Sequence, residues 1–375
     1  MKTEIIGLGT ALPTGSLTQA AAASAAYRMR GAEVEQEGSR KAQLLTALYR
    51  RSGVQTRHSV LLRSGDEEAY DRQTFYTQAV DTEDLGPTTS ERMERFEQAA
   101  PELATAACRQ ALEVAGLTGS AVRHLVTVSC SGFAAPGYDL ALYPALDLAA
   151  NVSRTNVGFM GCHGALNGLR VARALSIAHP EEPVLVCATE LCSLHHQYTD
   201  DPQQIVANSL FADGSAAAVL RSSTAATNGA PHPTRWQLLN QSSCVLNDSA
   251  EMMSWRVGNH GFQMTLSTQV PEVIRQQLTP WLTQWLSTQG LALTDICTWA
   301  VHPGGPRILS ATAESLGLEK VQLAMSTSVL AECGNMSSPT ILFILKRLLT
   351  EANSGPCVAL AFGPGLVVEA ALLSC

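Results

Sequence analysis

The stretch NVGFMGCHGALNGLRVARAL, from Asn156 to Leu175, places a cysteine between two glycines directly before a segment of helical pattern. Apolar residues recur at helical spacing after Gly164, so a helix is predicted to begin beside Cys162. The free N–H groups and macrodipole of a helix N-terminus favour an anion, and the thiolate is the nucleophilic form of cysteine. Cys162 is therefore either a nucleophile or a small buried residue that packs a glycine-rich turn.

Strand and helix patterns alternate along the chain, which is typical of an α/β fold. Apolar strands are predicted at residues 3–13, 124–130, 183–190, 208–222, 236–246, 296–305 and 356–373. Helices are predicted at residues 16–50, 90–115, 162–175, 269–289, 306–318 and 337–352. In the helix from residue 90, Gly116 is the predicted stop and Pro101 a break or restart.

The segment STAATNGAPHPTR, residues 223–235, is rich in small residues and turn formers and is the predicted linker. It separates an N-terminal half, residues 1–222, from a C-terminal half, residues 236–375. The halves echo each other in the order of their elements but contain no sequence repeat. A chain of 375 residues is too long for one small core, so two halves around a shared core are expected.

The overall composition is that of a well-buried enzyme, with 46% hydrophobic and 15% charged residues. The formal net charge of −8 and the absence of a Lys/Arg run give nucleic-acid binding no electrostatic support. No apolar run approaches the roughly 20 residues of a membrane span, and the N-terminus MKTEIIGLGT reads as a strand, not a signal peptide. We therefore expect a cytoplasmic protein whose ten cysteines are free thiols.

Three glycine-flanked polar residues stand at predicted element ends: Cys162 in GCHG, His302 in VHPGG and Asn335 in ECGNMSS. His302 could stabilise a Cys162 thiolate or take its proton. His302 and Asn335 could also donate hydrogen bonds to a thioester carbonyl oxygen as charge develops there. Spacing does not show that the three meet, because a lone histidine after a strand is more often a core residue and an asparagine near glycines more often a turn.

Several longer segments resemble type III polyketide synthases, the chalcone synthase superfamily. They match in order and interval over nearly the whole chain, and the HPGG, GNMSS and GPG segments together are specific. The segments are IIGLGTALP, HLVTVSCSGFAAPG, LFADGSAAAVL, TWAVHPGGPRIL, ECGNMSSPTILFIL and AFGPGLVVE. The resemblance implies the thiolase fold, with two pseudo-duplicated α/β halves in a layered αβαβα core, assembled as a homodimer.

The same resemblance implies a catalytic set. Cys162 would carry the acyl chain, and the helix dipole and His302 would lower the pKa of its thiol. His302 and Asn335 would polarise the malonyl thioester carbonyl and stabilise the enolate formed on decarboxylation. Repeated Claisen condensation from acyl-CoA and malonyl-CoA would then build a poly-β-keto chain that cyclises to a pyrone, resorcinol or phloroglucinol, without a metal or redox cofactor.

The cavity implied by the resemblance differs from that of the plant enzymes. Phe211 matches the gatekeeper phenylalanine, but Met264 replaces a second one, and Ala135 replaces a methionine that reaches into the partner subunit's site. His195 stands at a threonine position and could close some of the resulting space. Other predicted cavity residues are Cys130 and Cys192, which stand at threonine positions, and Ser131, Ser337 and Pro364, which match the plant enzymes. His163, directly after the nucleophile, differs from the residue in the plant enzymes. These changes favour a fatty acyl-CoA starter and an alkylpyrone or alkylresorcinol product.

The predicted coenzyme A site is less complete than in the family. Arg51 matches one basic position at the tunnel mouth, whereas Leu44 and Ala47 stand near two others. Gly304 and Gly305 are also predicted to bind coenzyme A at this mouth, together with Arg307, which could substitute for a missing basic residue or be an ordinary surface charge. Arg50 and Arg57 are alternative phosphate ligands or ordinary surface charges.

Three other interpretations remain open. A ketoacyl-ACP synthase III-like enzyme would share the fold and the Cys/His/Asn set but condense once, with an acyl carrier protein. A non-catalytic subunit would keep the fold and usually lose the nucleophile. The segment CATELCSLHH contains zinc-compatible ligand types, although its spacing fits no common structural site; they are Cys187, Cys192, His195 and His196.

Overall fold

The computed structural model describes residues 2–31, 40–223, 235–351 and 355–375. The strands are β1 (Lys2–Ala11), β2 (Ser16–Thr18), β3 (Thr56–His58), β4 (His124–Ser129), β5 (Ser153–Gly158), β6 (Val184–Leu191), β7 (Asp213–Ser223), β8 (Trp236–Val245), β9 (Met253–Gly258), β10 (Gly261–Leu266), β11 (Thr298–Val301), β12 (Pro356–Gly363) and β13 (Val367–Ser374). The helices are α1 (Gln19–Met29), α2 (Arg40–Arg51), α3 (Ala69–Arg72), α4 (Thr89–Ala115), α5 (Tyr138–Leu146), α6 (Gly164–Ala178), α7 (Pro202–Leu210), α8 (Val270–Ser287), α9 (Pro306–Leu316), α10 (Ala324–Cys333) and α11 (Thr340–Leu348).

Nine of these strands form one mixed sheet in the order β11-β12-β13-β8-β1-β7-β6-β4-β5. β1 and β8 pair antiparallel at the junction of the two halves, with Thr3 opposite Leu238. Outward from this junction, each half has two antiparallel pairs followed by a parallel pair, and the first half continues with a second parallel pair, β4–β5. The halves therefore repeat one topology, although their sequences do not repeat.

Helices cover both faces of the sheet and create three hydrophobic cores. α6 and α11 lie in the central core, where they pack between strands of both halves. α4 and α5 enclose a second core on the outer face of the first half, and α8 and α9 enclose a third on the outer face of the second half. The layers alternate as α–β–α–β–α, so apolar side chains are buried on both faces of each strand group. None of the described helices combines the length and apolar character of a membrane span.

The long helix α4 differs from the prediction at one point. Thr88 and Glu91 form a capping box at its start, and Gly116 ends it in the left-handed conformation, as predicted. Pro101 lies inside the continuous helix instead of breaking it. A proline removes one backbone hydrogen bond, and the turns around it remain packed because Ala100 and Ala104 are fully buried.

Other boundaries also moved. The predicted strand at 208–222 begins only at Asp213, because α7 occupies Pro202–Leu210. The hairpin of β9 and β10, together with β5, α5 and α10, was not predicted. Most of the predicted linker, residues 224–234, lies outside the described residues.

The close packing of β1 on α4 generates a stability prediction. A Cβ atom at Gly9 would lie 2.0 Å from the carbonyl oxygen of Ala107. We expect Gly9→Ala to lower the free energy of unfolding by about 2–3 kcal/mol through overpacking, measured by denaturant titration.

The control is Gly158→Ala, whose Cβ would meet only the Asn156 side-chain oxygen at 3.3 Å. Its stability should stay within about 0.5 kcal/mol of the parent. Equal stability of the two variants would contradict the described contact between β1 and α4.

Candidate active site

Cys162 lies in a single 3₁₀ turn, Gly161–His163, that leads directly into α6. The predicted helix start is therefore confirmed to within two residues. Phe159 and Gly161 before it both have positive φ, 57° and 71°. A Cβ at Gly161 would lie 2.3 Å from Pro364 Cδ, so both the backbone conformation and the proline require glycine here.

Asn335 reaches the same region from the C-terminal half. Its backbone N–H donates to Leu210 O at 2.9 Å, and its carbonyl accepts from Ala212 N–H at 2.9 Å. These bonds fix it against Phe211 at the end of α7. The Asn335 side-chain oxygen accepts the Ser337 N–H at 2.8 Å, so its NH₂ group is the donor in the hydrogen bond that this side chain makes to Cys162.

His302 follows β11, and its backbone N–H donates to Leu360 O at 2.8 Å. The side chain is 1% exposed, and neither ring nitrogen has a hydrogen-bond partner among the described residues. Gly304, two residues later, lines the cavity around Cys162 together with Asn335. The structure thus joins Cys162 and Asn335 in one cavity, whereas His302 is not among the lining residues of that cavity and makes no hydrogen bond to the thiol.

The expected lowering of the Cys162 pKa is wrong for this state of the enzyme. Burial raises the pKa of the thiol to about 11, and hydrogen bonds from Ser337 and Asn335 only partly oppose this. Burial likewise lowers the pKa of His302 to about 3. The helix start does not offset the desolvation of a charge, so the resting site contains a neutral thiol and a neutral imidazole.

Glu190, at the end of β6, connects the segments around the nucleophile and was not predicted. Its carboxylate is fully buried and accepts the backbone N–H groups of Cys130 and Ser131 at 2.9 Å each. It also accepts the hydroxyl of Ser338 from the C-terminal half at 2.6 Å. Ser131 therefore supports the cavity wall, since its hydroxyl donates to Glu190 and accepts Leu191 N–H.

Three connected spaces surround Cys162. The outer groove, of ≈420 Å³, is lined by the predicted mouth residues Arg51, Gly304, Gly305 and Arg307. The inner cavity, of only ≈20 Å³, contains Cys162, Asn335, Phe211 and Met264, and shares Leu210, Leu266, Gly304 and Ile308 with the outer groove. The apolar pocket, of ≈100 Å³, lies beneath α1 and shares Phe211 and Ala207 with the inner cavity.

Phe211 is therefore the partition between the inner cavity and the apolar pocket, and Met264 lies on the inner cavity's wall. The inner cavity has room for about one water molecule. A substrate can reach Cys162 only if side chains such as these rotate. This placement is compatible with both predicted gatekeeper positions.

The arginines around the outer groove have different environments. Arg51 and Arg307 are exposed on its rim, whereas Arg50 lines a separate cleft between α1 and α2 with Ala47. Arg57 is neither a phosphate ligand nor a surface charge. It is 8% exposed, and its guanidinium donates to Asn208 O at 2.7 Å and Phe211 O at 3.1 Å.

An aromatic cluster of His195, Phe262 and Trp255 packs beside Cys130. His195 stacks on Phe262 at 4.1 Å between ring centroids, and Trp255 contacts His195 edge-on at 5.4 Å. Trp255 Nε1–H also donates to Cys130 O at 2.7 Å. Trp255 and Phe262 were missed because Met264 was the one residue of the hairpin β9–β10 that the resemblance singled out.

The other predicted cavity residues are dispersed. Cys192 and His195 line the apolar pocket, but both His195 nitrogens bond to backbone, at Ser131 O and Phe262 N–H. Cys130 Sγ lies 3.3 Å from the Ser337 hydroxyl, near Cys162. Ala135 lies on an exposed loop and lines none of the three spaces in this chain.

The predicted zinc alternative is wrong. The Cys187 thiol contacts Thr189 and Ser215 in the sheet, and His195 has no free nitrogen. Within the described residues, the group closest to a metal site is instead His124, His179 and Glu182, whose ligand atoms lie within 4.8 Å.

Ligands of one tetrahedral zinc would lie about 3.4 Å apart. Here His179 Nδ1 is 4.0 Å from Glu182, and His124 Nε2 already pairs with that carboxylate at 3.2 Å. This second group is therefore a hydrogen-bonded surface cluster.

Comparison with known proteins gives consistent matches. Family models described as the N-terminal and C-terminal domains of chalcone and stilbene synthases match residues 1–224 and 237–375. The chain is 35% identical over 289 residues to the "Alpha-pyrone synthesis polyketide synthase-like Pks18" of Mycobacterium tuberculosis, covering 76% of this chain and 73% of that protein. It is 36% identical over 274 residues to the 1,3,6,8-tetrahydroxynaphthalene synthase of Streptomyces peucetius, covering 72% of each.

The solved structure of PKS-I from the brown alga Ectocarpus siliculosus has a TM-score of 0.90 and 29% sequence identity to this chain. The match covers 100% of this chain and 98% of that one. The predicted thiolase-like fold is confirmed by this similarity.

The raised pKa of Cys162 generates a pH prediction. A thiol with a pKa of about 11 is protonated at neutral pH, and its thiolate fraction rises as pH approaches that pKa. We expect Cys162 alkylation by iodoacetamide to rise steeply from pH 8 to 10 without a plateau, measured by mass spectrometry of its peptide. The exposed thiol of Cys297 is the reference in the same sample, and a Cys162 rate that has already reached its maximum below pH 8 would indicate a resting thiolate.

Proposed function

Because the chain belongs to the chalcone and stilbene synthase family of type III polyketide synthases, we propose that it loads an acyl-CoA starter on Cys162 and extends it with malonyl-CoA. One arrangement carries this proposal: a buried thiol and an amide donor lie at the inner end of a groove with two arginines on its rim. The pantetheine arm would follow the groove, while Arg51 and Arg307 would meet the phosphates.

The loading step uses the two neutral groups of the resting site. His302 takes the Cys162 proton as the sulfur attacks the thioester carbonyl carbon. The tetrahedral intermediate collapses, its C–S bond to coenzyme A breaks, and the leaving thiolate takes the proton back from His302. Charge therefore exists at the buried site only during the transfer, which is consistent with a burial that disfavours both ions.

Extension begins with loss of carbon dioxide from bound malonyl-CoA. The Asn335 NH₂ group would donate to the thioester carbonyl oxygen, where the electron pair of the broken C–C bond accumulates. The enolate carbon then attacks the acyl–Cys162 carbonyl and releases the Cys162 thiolate. Transfer of the lengthened chain back to Cys162 allows the next cycle, and none of these steps calls for a metal or redox cofactor.

We propose an aliphatic starter, held in the apolar pocket. Small residues of α1 form its wall, and the passage from the inner cavity runs past Phe211. The lining from α1 is Ala22, Ala25, Ala26 and Met29. A flexible hydrocarbon chain can enter once the Phe211 ring turns, and its extension and cyclisation would give an alkylpyrone or alkylresorcinol.

A second copy of the chain is the proposed partner. β5 is the outermost strand of the sheet, and such an unpaired edge is a template for strand pairing. Phe133 is 55% exposed and contacts Phe159, itself 39% exposed, at 5.9 Å. An exposed aromatic pair beside an open strand edge suits an isologous dimer. One member of the pair, Phe159, lies three residues before Cys162.

The product assay tests the activity and the starter together. Purified enzyme receives malonyl-CoA and a panel of acyl-CoA starters from acetyl to stearoyl, with one aromatic starter and no carrier protein. We expect products with two or more added ketide units, aliphatic starters preferred, and none from Cys162→Ala. Activity only with a malonyl carrier protein would instead indicate a ketoacyl synthase III-like single condensation.

The outer groove makes a separate prediction. Removing two charge-assisted phosphate contacts in Arg51→Ala/Arg307→Ala should raise KM for malonyl-CoA about tenfold, with kcat within about twofold. Steady-state kinetics with one starter would measure both constants. The matched control is Arg50→Ala, which removes a neighbouring exposed arginine from another cleft and should leave KM unchanged; an equal rise would contradict the assignment of the groove.

A further inference from the structure

His163, directly after the nucleophile, has no role in the steps above. Its side chain is 2% exposed, and its Nδ1 lies 2.7 Å from Asn167 Oδ1. The Asn167 NH₂ group in turn donates to Glu369 Oε1 at 2.9 Å. Because the amide NH₂ group is bonded to a carboxylate, the amide oxygen faces His163 and must accept.

This chain of donors fixes the tautomer of His163. Nδ1 carries the hydrogen that the Asn167 oxygen accepts, so Nε2 has an unshared electron pair. Nε2 is buried and has no partner among the described residues. A buried acceptor of this kind is costly unless it is used.

Glu369 anchors the hydrogen-bonded series that runs from His163 through Asn167. It is 2% exposed, accepts the Ser243 hydroxyl at 2.7 Å and pairs with Arg170. These partners hold the carboxylate, so Asn167 and the His163 ring are held as well. Such a carboxylate–amide–imidazole series can stabilise positive charge beyond the imidazole.

The two unpartnered imidazoles flank the end of β12. A Cβ at Gly363 would lie 2.5 Å from His163 Nε2, so this nitrogen rests on the Gly363 backbone. The backbone N–H of His302 donates to the carbonyl oxygen of Leu360, which lies three residues before Gly363 on the same strand. Burial, and after it the nearby His163, lower the pKa of His302, so the two imidazoles lie within electrostatic range of each other.

We propose that His163 is a positioning residue that acts through His302. Held by Asn167 and Glu369, the Nε2 electron pair of His163 accepts a hydrogen bond from one ring N–H of His302, completed by a small rotation or one bridging water. The other His302 nitrogen is then unprotonated and directed to the Cys162 proton. This inference rests on the proposed function, in which His302 is the base of the loading step.

The proton movements balance. The Cys162 S–H bond breaks as a His302 N–H bond forms, and the second His302 N–H shifts its charge toward His163 without leaving. When the coenzyme A thiolate departs, it takes the proton and His302 is neutral again. His163, Asn167 and Glu369 keep their protonation states throughout.

The charged and titratable groups near this system are few. Those acting on His163 are Glu369 and Arg170, and His163 is the one acting on His302. Those around the thiol are Glu190, Cys130 and Cys192. None of these groups other than His163 connects His302 to the buried carboxylate of Glu369.

The test measures Cys162 alkylation by iodoacetamide from pH 6 to 10 in the full-length enzyme, by mass spectrometry of the Cys162 peptide. The variants are His302→Ala, His163→Phe and Asn167→Leu. His163→Phe keeps a ring against Gly363, and Asn167→Leu removes the hydrogen-bonding amide while keeping a side chain of similar size. The control is Ser176→Ala, which removes a buried hydroxyl from the other end of α6, where it bonds to the Ser222 hydroxyl at 2.9 Å. Thermal unfolding of each variant is recorded in parallel.

In the parent enzyme, base assistance by His302 gives a low, pH-independent rate below pH 8, and thiol ionisation adds a rising rate above it. We expect His302→Ala to abolish the low-pH rate and His163→Phe to lower it about tenfold, the effect of one charge-assisted hydrogen bond. Asn167→Leu should fall between the parent and His163→Phe. The rising limb above pH 9 should be unchanged in all variants, and Ser176→Ala should match the parent.

Two results would overturn the proposal, and they are distinguishable. A normal low-pH rate in His163→Phe and Asn167→Leu, with His302→Ala impaired, would show that His163 has only a packing role. A normal low-pH rate in His302→Ala would remove the base itself, and with it the loading step of the proposed function. A loss at every pH together with a lower melting temperature would likewise assign His163 to packing.

Discussion

A single buried carboxylate holds the active-site segments of the two halves together. Glu190 ends β6 and accepts hydrogen bonds from the segment after β4 and from Ser338 in the C-terminal half. A buried carboxylate that lost these donors would carry a large desolvation penalty, so the donors and Glu190 fix one another. The wall beside Cys162, including Cys130 and Ser131, depends on this one group.

The second constraint is that the active site is buried away from solvent. Burial holds both the Cys162 thiol and the His302 imidazole neutral, although separated charges have to form during acyl transfer. A low-dielectric site strengthens every hydrogen bond directed at that transient charge. The groups that lie ready to make such bonds are Asn335, Ser337 and, through His302, the buried chain from His163 to Glu369.

The α/β fold was accessible from sequence because it leaves local signals, whereas Cys162, His302 and Asn335 were assigned as a reactive set only through the resemblance to a family. Alternating strand and helix patterns predicted the α/β fold, and glycines beside Cys162, His302 and Asn335 marked element ends where function concentrates. The environment of Arg57 could not be predicted from the sequence. Its burial depends on free carbonyls at the end of α7, about 150 positions away in the chain, which only the tertiary structure brings near.

Trp255 and the thiol pKa were missed for related reasons. A tryptophan in a short mixed hairpin is typical of any packing surface, and its position over Cys130 depends on how the hairpin docks. The helix-start argument for Cys162 weighed a local dipole but not the desolvation that the surrounding layers impose. Pro101 illustrates the same limit, since packing on both sides of a turn outweighed a local helix breaker.

The environment of Phe211 has a consequence for the timing of the reaction. Its carbonyl is held by Arg57, and its backbone is paired with Asn335, so the main chain of this partition is fixed. Passage between the inner cavity and the apolar pocket therefore requires rotation about side-chain bonds and not the opening of a loop. Side-chain rotations are intrinsically faster than collective loop motions, so a growing chain can cross the partition many times within one turnover while the nucleophile stays in place.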